Sequence, residues 1–154
     1  MSSPNQPLNH HCRQLLAAGT LLALVRPVAA TPQQMASAIS AYTGNRLPQT
    51  GRVKFEIAQL IDNGNAVPVT IRVESPLTAE DHVTGIAIFN EKNPETDVVR
   101  FTLGPRAGKA EVSTRIRLAT SQKLVAVAKM SDGSCWQQTV DVIVTLAACI
   151  EGEV

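Results

Sequence analysis

Aromatic side chains are scarce in this 154-residue chain, which has one Trp, one Tyr and three Phe, so its core must be built mainly from Val, Ile, Leu and Ala. Histidine is nearly absent too. Two of the three histidines, His10 and His11, lie near the start and only His82 lies further on, which leaves no histidine cage for a metal. The motifs Cys-x-x-Cys-His, Gly-x-Ser-x-Gly, Gly-x-Gly-x-x-Gly and the P-loop are all missing, which removes haem attachment and the common hydrolase and nucleotide sites. The first 30 residues contain no Asp or Glu. No apolar run reaches the roughly 20 residues a helix needs to span a bilayer.

The acid-free start has a pattern of its own. A weakly basic segment with His10, His11 and Arg13 leads into an apolar run from Leu15 to Val25 and ends at Val28-Ala29-Ala30. Small residues at that end are what signal cleavage requires, so residues 1–30 are expected to be a secretory signal and no part of the fold. Cys12 precedes the apolar run, the wrong side for a lipid-modified cysteine. Of 14 basic residues, Arg13 and Arg26 belong to this leader, leaving 12 against 13 acids. A balance so near neutral does not describe a nucleic-acid binder. One stretch is basic: Arg106, Lys109, Arg115, Arg117, Lys123 and Lys129 face only Glu111. It reads as a solvated sheet face or a docking surface for an acidic partner.

After Ala30 the chain is long enough for one domain, expected over 31–146. Thr31 can cap a short helix from Pro32 to Tyr42, with Met35, Ile39 and Tyr42 on one face and Gly44 ending it. Then the apolar period switches to two. Val53, Phe55 and Ile57 alternate with polar neighbours, as do Val67, Val69, Ile71 and Val73, and Val112, Thr114, Ile116 and Leu118. These are strands with one face on a core and the other in water. Further strands are expected over 82–89, 97–103, 124–130 and 134–146. Turn signals separate them: Asp62-Asn63-Gly64-Asn65, Ser75-Pro76, Asn93-Pro94, Gly104-Pro105 and Asp132-Gly133. The pattern predicts an all-β, immunoglobulin-like antiparallel sandwich with a short N-terminal helix and a mobile C-terminal arm over 147–154. Asn63-Gly64-Asn65 and Asn90-Glu91-Lys92-Asn93 read as plain loops.

Two cysteines follow the leader, Cys135 and Cys149. A strand between them rises about 3.3 Å per residue and holds them on the order of 35 Å apart, whereas a disulfide needs Cα atoms within about 7 Å. Two separate thiols are therefore expected. Cys135, beside Trp136, reads as a small buried hydrophobe. Cys149 stands just past the last strand near a free terminus, where packing does not need it, and is a candidate for carrying a group covalently. A Cys149–His82 pair is a poor hydrolase, because a nucleophile on a moving tail is not held against its base.

Several segments, taken in order, resemble one family: Gly51-Arg52-Val53, Asn63-Gly64-Asn65-Ala66-Val67-Pro68, Ile88-Phe89-Asn90-Glu91-Lys92-Asn93-Pro94, Val112 to Ala119, and Val142 to Cys149. The family is SoxY, the sulfur-carrier subunit of the periplasmic thiosulfate-oxidising (Sox) system. The resemblance implies a periplasmic, non-enzymatic carrier without cofactor that forms a heterodimer with a SoxZ-like subunit. It implies Cys149 as the attachment point, on an arm comprising Ala147, Ala148, Ile150, Glu151 and Gly152. It also implies exchange with a c-type cytochrome, a thiosulfohydrolase and a sulfur dehydrogenase, and export by the twin-arginine route, although Cys12-Arg13 stands where Arg-Arg is usual. The arm departs from the family's usual Gly-Gly-Cys-Gly-Gly. Ala147-Ala148-Cys149-Ile150 restricts the backbone, and Glu151 and Glu153 raise the pKa of a neighbouring thiol. The other reading is a diverged, non-catalytic exported sandwich in which Cys149 forms an intermolecular disulfide.

Overall fold

The computed structural model describes residues 30–147. Helix α1 spans Pro32–Thr43. The strands are β1 (Gln49–Thr50), β2 (Val53–Glu56), β3 (Leu60–Ile61), β4 (Val67–Val73), β5 (Val83–Asn90), β6 (Asp97–Thr102), β7 (Glu111–Ile116), β8 (Gln122–Met130) and β9 (Cys135–Val144). Among the described residues no helix is long and apolar enough to cross a membrane.

Helix α1 begins where its residues dictate. The Thr31 hydroxyl accepts from the Gln34 amide at 3.2 Å while the Thr31 amide donates to Gln34 Oε1 at 2.9 Å, a reciprocal cap ahead of Pro32. Gly44 closes the helix in a left-handed conformation, φ 65°, which only glycine adopts at little cost.

Two sheets pack face to face. The larger runs β1-β9-β8-β5-β6, with β3 also on β9; the smaller runs β2-β4-β7. Apart from β1 and β3, which lie parallel to β9, all pairings are antiparallel. The sandwich is therefore the expected one, with two short parallel additions. Both are two residues long, too short for a period to register in the sequence. Between them the chain crosses to the small sheet as β2 and returns, so one stretch of chain serves both layers.

The alternation of the small-sheet strands places Val53, Phe55, Val67, Val69, Ile71, Val73 and Ile116 in the space between the sheets. Ile86, Ile88, Leu124, Ala126 and Ala128 meet them from the large sheet. Strands β5 and β8 have no water-facing side over most of their length, because α1 lies across their outer face. There Met35 joins Ala87, Phe89, Val125 and Val127, with Ala38, Ile39 and Tyr42 packed against them. This is why Val83–Asn90 and Gln122–Met130 read as nearly continuous apolar runs. Fully burying Phe89 contributes about 1.5–3 kcal/mol.

Removing the Leu124 side chain, which is fully buried between the sheets, should cost about 2–5 kcal/mol in chemical denaturation, since the site cannot collapse around the void. Leu47→Ala, at a residue 92% exposed, should stay within about 0.5 kcal/mol of the parent.

Candidate functional site at the end of the last strand

Of the residues expected in the arm, Ala147 is the last described. Ala148, Cys149, Ile150, Glu151 and Gly152 lie outside the described residues, as do residues 1–29 of the expected leader. What the fold defines is the root, the point at which the expected arm would begin. Strand β9 delivers it, paired along its length with β8 from Lys129↔Cys135 to Gln122↔Val142. Beyond Val144 the chain stays fastened on its β3 side. The Thr145 amide donates to Ile61 O at 2.9 Å, the Thr145 hydroxyl lies 3.3 Å from Ile61 O and 3.2 Å from Asp62 O, and Leu146 O accepts from the Gly64 amide at 2.8 Å. Gly64 O in turn accepts from the Leu118 amide at 2.8 Å, tying this turn to the end of β7.

The other side of the root is held by a polar clasp that sequence reasoning passed over as a loop. Asn90 is fully buried at the end of β5. Its amide group donates to Glu95 O at 2.7 Å, and its Oδ1 accepts from the Lys92 and Asn93 amides at 3.2 and 2.8 Å. Asn93 Oδ1 accepts from Gln122 Nε2 at 2.7 Å and the Ala119 amide at 3.0 Å, and Asn93 Nδ2 donates to Arg117 O at 2.8 Å. Lys92 Nζ reaches Ser121 O at 3.0 Å, and Glu91 Oε1 accepts from the Lys123 amide at 3.0 Å. Ser121 completes the link: its Oγ accepts from the Val144 amide at 2.9 Å. Ala30, at the end of the expected leader, is buried and donates to Asn93 O at 3.0 Å. The available signal was two asparagines three apart before a proline, a spacing that lets both side chains turn back onto their own backbone.

Around the root the surface is apolar. Leu60 and Ile143, direct partners across β3 and β9, are each 60% exposed, and Leu146 is 61% exposed. No sequence pattern marked them out, because they become neighbours only through the parallel pairing.

Cys135 lies at the opposite end of β9, a free thiol 3% exposed. Burial pushes it above the ordinary thiol range, with Lys129 and Arg46 pulling partly back. That matches its reading as a small hydrophobe. The basic stretch does not form one surface. Arg115 and Arg117 are exposed at and just beyond β7, Lys123 on β8 faces Asp141 at 3.8 Å, and Lys129 lies over the Tyr42 ring. Among the described residues no group of three or more His, Cys, Asp or Glu is placed to hold a metal.

Asn90→Ala would leave the Asn93 amide and the Glu95 carbonyl without this partner, while the Lys92 amide keeps Gln122 Oε1 at 3.0 Å, and should lower stability by about 1–3 kcal/mol. Hydrogen exchange should show the Val144 amide losing protection to a greater degree than amides in the centre of β4.

Solved structures of similar fold include superoxide reductases. The E23A neelaredoxin from Ignicoccus hospitalis is 19% identical, with a TM-score of 0.55 over 74% of this chain and 92% of that one. The enzyme from Nanoarchaeum equitans is 16% identical, with a TM-score of 0.52 over 62% of this chain and all of that one. At such identity the likeness is one of fold alone. No individually curated protein matches the chain. The family model for sulfur oxidation protein SoxY matches residues 39–149, from within α1 through the whole sandwich to the C-terminal cysteine. The chain belongs to the SoxY family of sulfur oxidation proteins.

Proposed function

We propose that this protein is a periplasmic carrier that holds thiosulfate-derived sulfur covalently on Cys149 and presents it to partner enzymes. The observation that carries the reading is the family match running to residue 149 together with a root fastened on both sides, so that whatever follows Ala147 starts from a fixed point on the domain surface. A carrier needs that arrangement: a rigid body to be recognised and a cysteine offered beyond it.

In the loading step the Cys149 thiol and thiosulfate join through a new sulfur–sulfur bond to give Cys149–S–S–SO3−. The thiol proton leaves and two electrons pass to a c-type cytochrome partner. Hydrolysis by a thiosulfohydrolase then cleaves the bond to the sulfone, so that one water yields hydrogen sulfate and a Cys149 persulfide. A sulfur dehydrogenase oxidises the persulfide further. None of these steps asks the sandwich for an acid, a base or a metal. Covalent attachment raises the effective concentration of the substrate at each partner, so weak docking is sufficient.

Two surfaces suit such docking. The collar of Leu60, Ile143 and Leu146 surrounds the root and offers apolar contact to any enzyme that receives the arm. The Arg115–Arg117 edge, which shares a groove of about 470 Å³ with Pro94 and Glu95 of the β5–β6 connection and Asp97, Val98 and Val99 of β6, is suited to the SoxZ-like subunit of a heterodimer. Residues 1–30 serve as the export signal; cleavage after Ala30 would release the contact of that residue with Asn93.

Intact mass after incubation with thiosulfate and the cytochrome partner tests the assignment. The parent chain should gain the mass of a thiosulfate adduct, Cys149→Ser should gain none, and Cys135→Ser should load as the parent does. An adduct on the Cys149→Ser chain, or disulfide-linked dimers as the sole product of the parent, would refute it.

A further inference from the structure

At the end of the large sheet remote from the arm root, the outer face is left open where α1 stops. Tyr42, in the last turn of the helix, lies over Gly85 of β5; a Cβ added at Gly85 would come within 2.7 Å of its hydroxyl. The two residues directly opposite Gly85 are Thr102 on β6 and Lys129 on β8, and the next pair along is Ala87↔Arg100. Residues in register share a face of the sheet, so Lys129 and Arg100 rise on either side of the ring. Lys129 Nζ is 5.0 Å and the Arg100 guanidinium carbon 5.3 Å from its centre. Tyr42, Thr84, Gly85, Arg100, Phe101, Thr102 and Lys129 bound a cavity of about 360 Å³.

The charges in this cavity are not balanced. Arg100 Nε pairs with Asp97 Oδ2, which leaves the rest of its fork, whereas among the described residues Lys129 has no carboxylate partner. The Tyr42 hydroxyl makes no hydrogen bond to another described residue. Burial pushes its pKa up to about 12, with Arg100 pulling down and Cys135 and Asp97 adding to the rise, so it stays a neutral donor at any ordinary pH. Thr84 Oγ1 is committed to Lys129 O at 3.1 Å, and the exposed Thr102 hydroxyl stands at the rim. Two cations from different strands, a phenol and a hydroxyl thus line one concavity, with the Asp97 carboxylate paired to Arg100. Guanidinium forks and ammonium groups so arranged favour oxygen-rich anions over chloride, because each donor finds its own oxygen.

We propose that this cavity binds a small tetrahedral oxyanion of the sulfate and thiosulfate class, with Arg100 and Lys129 supplying the positive charge that lines it and the Tyr42 hydroxyl a further donor. The site is independent of the carrier reading. It lies at the Cys135 end of β9, whereas the arm leaves from the other end, and it needs no thiol.

The test uses the full chain carrying Cys149→Ser, so that covalent loading cannot contribute, titrated with sodium sulfate and separately with sodium thiosulfate at ionic strength held constant with sodium chloride. Resonances of Gly85, Arg100 and Lys129 should shift saturably, with a dissociation constant on the order of millimolar. Whichever anion saturates first is the tighter ligand. Arg100→Gln and Lys129→Gln should each weaken binding by about tenfold, the loss of one charge-assisted hydrogen bond. Shifts that chloride reproduces, shifts that grow linearly without saturation, or folded variants that bind like the parent would overturn the proposal. Saturation in the chain with native Arg100 and Lys129 decides the matter even if a variant fails to fold.

Discussion

The constraint on which the rest of this structure depends is the amide network of buried Asn90 and Gln122 with half-buried Asn93. A sandwich of this size must connect its strands at its ends, and end loops carry backbone groups that cannot be left dry and unpaired. Here a fully buried asparagine turns the chain at the end of β5 by satisfying the amides of residues 92 and 93 and the carbonyl of residue 95. The second asparagine then reaches across to the connection between β7 and β8. Because Ser121 of that connection holds the Val144 amide, the network fixes the last strand as well as the loop itself. Every buried side-chain nitrogen and oxygen among the described residues has a partner, so the polar groups at this end cost little of what the apolar core gains.

The large sheet is the mechanical centre. Its middle strands β5 and β8 are covered on both faces, by the small sheet through one set of alternating residues and by α1 through the other. Each layer alone would leave an apolar face in water; together they bury two. Strand β9 sits one place out from this centre and is held there by β8 on one side and by β1 and β3 on the other. Chemistry, by the proposed reading, is pushed outward from this arrangement to a cysteine beyond it.

Much of this was legible in the sequence. Thr31, Pro32 and Gly44 fixed the helix to within a residue, and three period-two runs together with four stretches bounded by turn residues marked seven strands close to their observed limits. Burial of Cys135 could also be foreseen from its place at a strand start beside Trp136. What could not be read was anything created by contact between distant segments. Leu60–Ile61 pairs with Ile143–Val144 in parallel across more than eighty residues, and a two-residue strand has no period to detect. The docking of α1 on β5 and β8 was hidden because a run buried on both sides looks the same whichever element covers it. The basic residues from Arg106 to Lys129 are close in sequence and yet divide between the two sheets, which only the turn after β7 decides. Cys149 was singled out by its position in the sequence and lies outside the described residues.

The parallel placement of β3 beside the end of β9 has a mechanical consequence. A tug on the chain beyond Ala147, directed along the strand, loads the bonds to Gln59, Ile61 and Gly64 and those to β8 together, in shear, because all of them lie across the line of pull. Bonds strained side by side fail collectively, at far greater force than bonds unzipped one after another. If, as proposed, the extremity is drawn into the recesses of successive enzymes, this geometry lets it be hauled back repeatedly without the final strand peeling from the sheet.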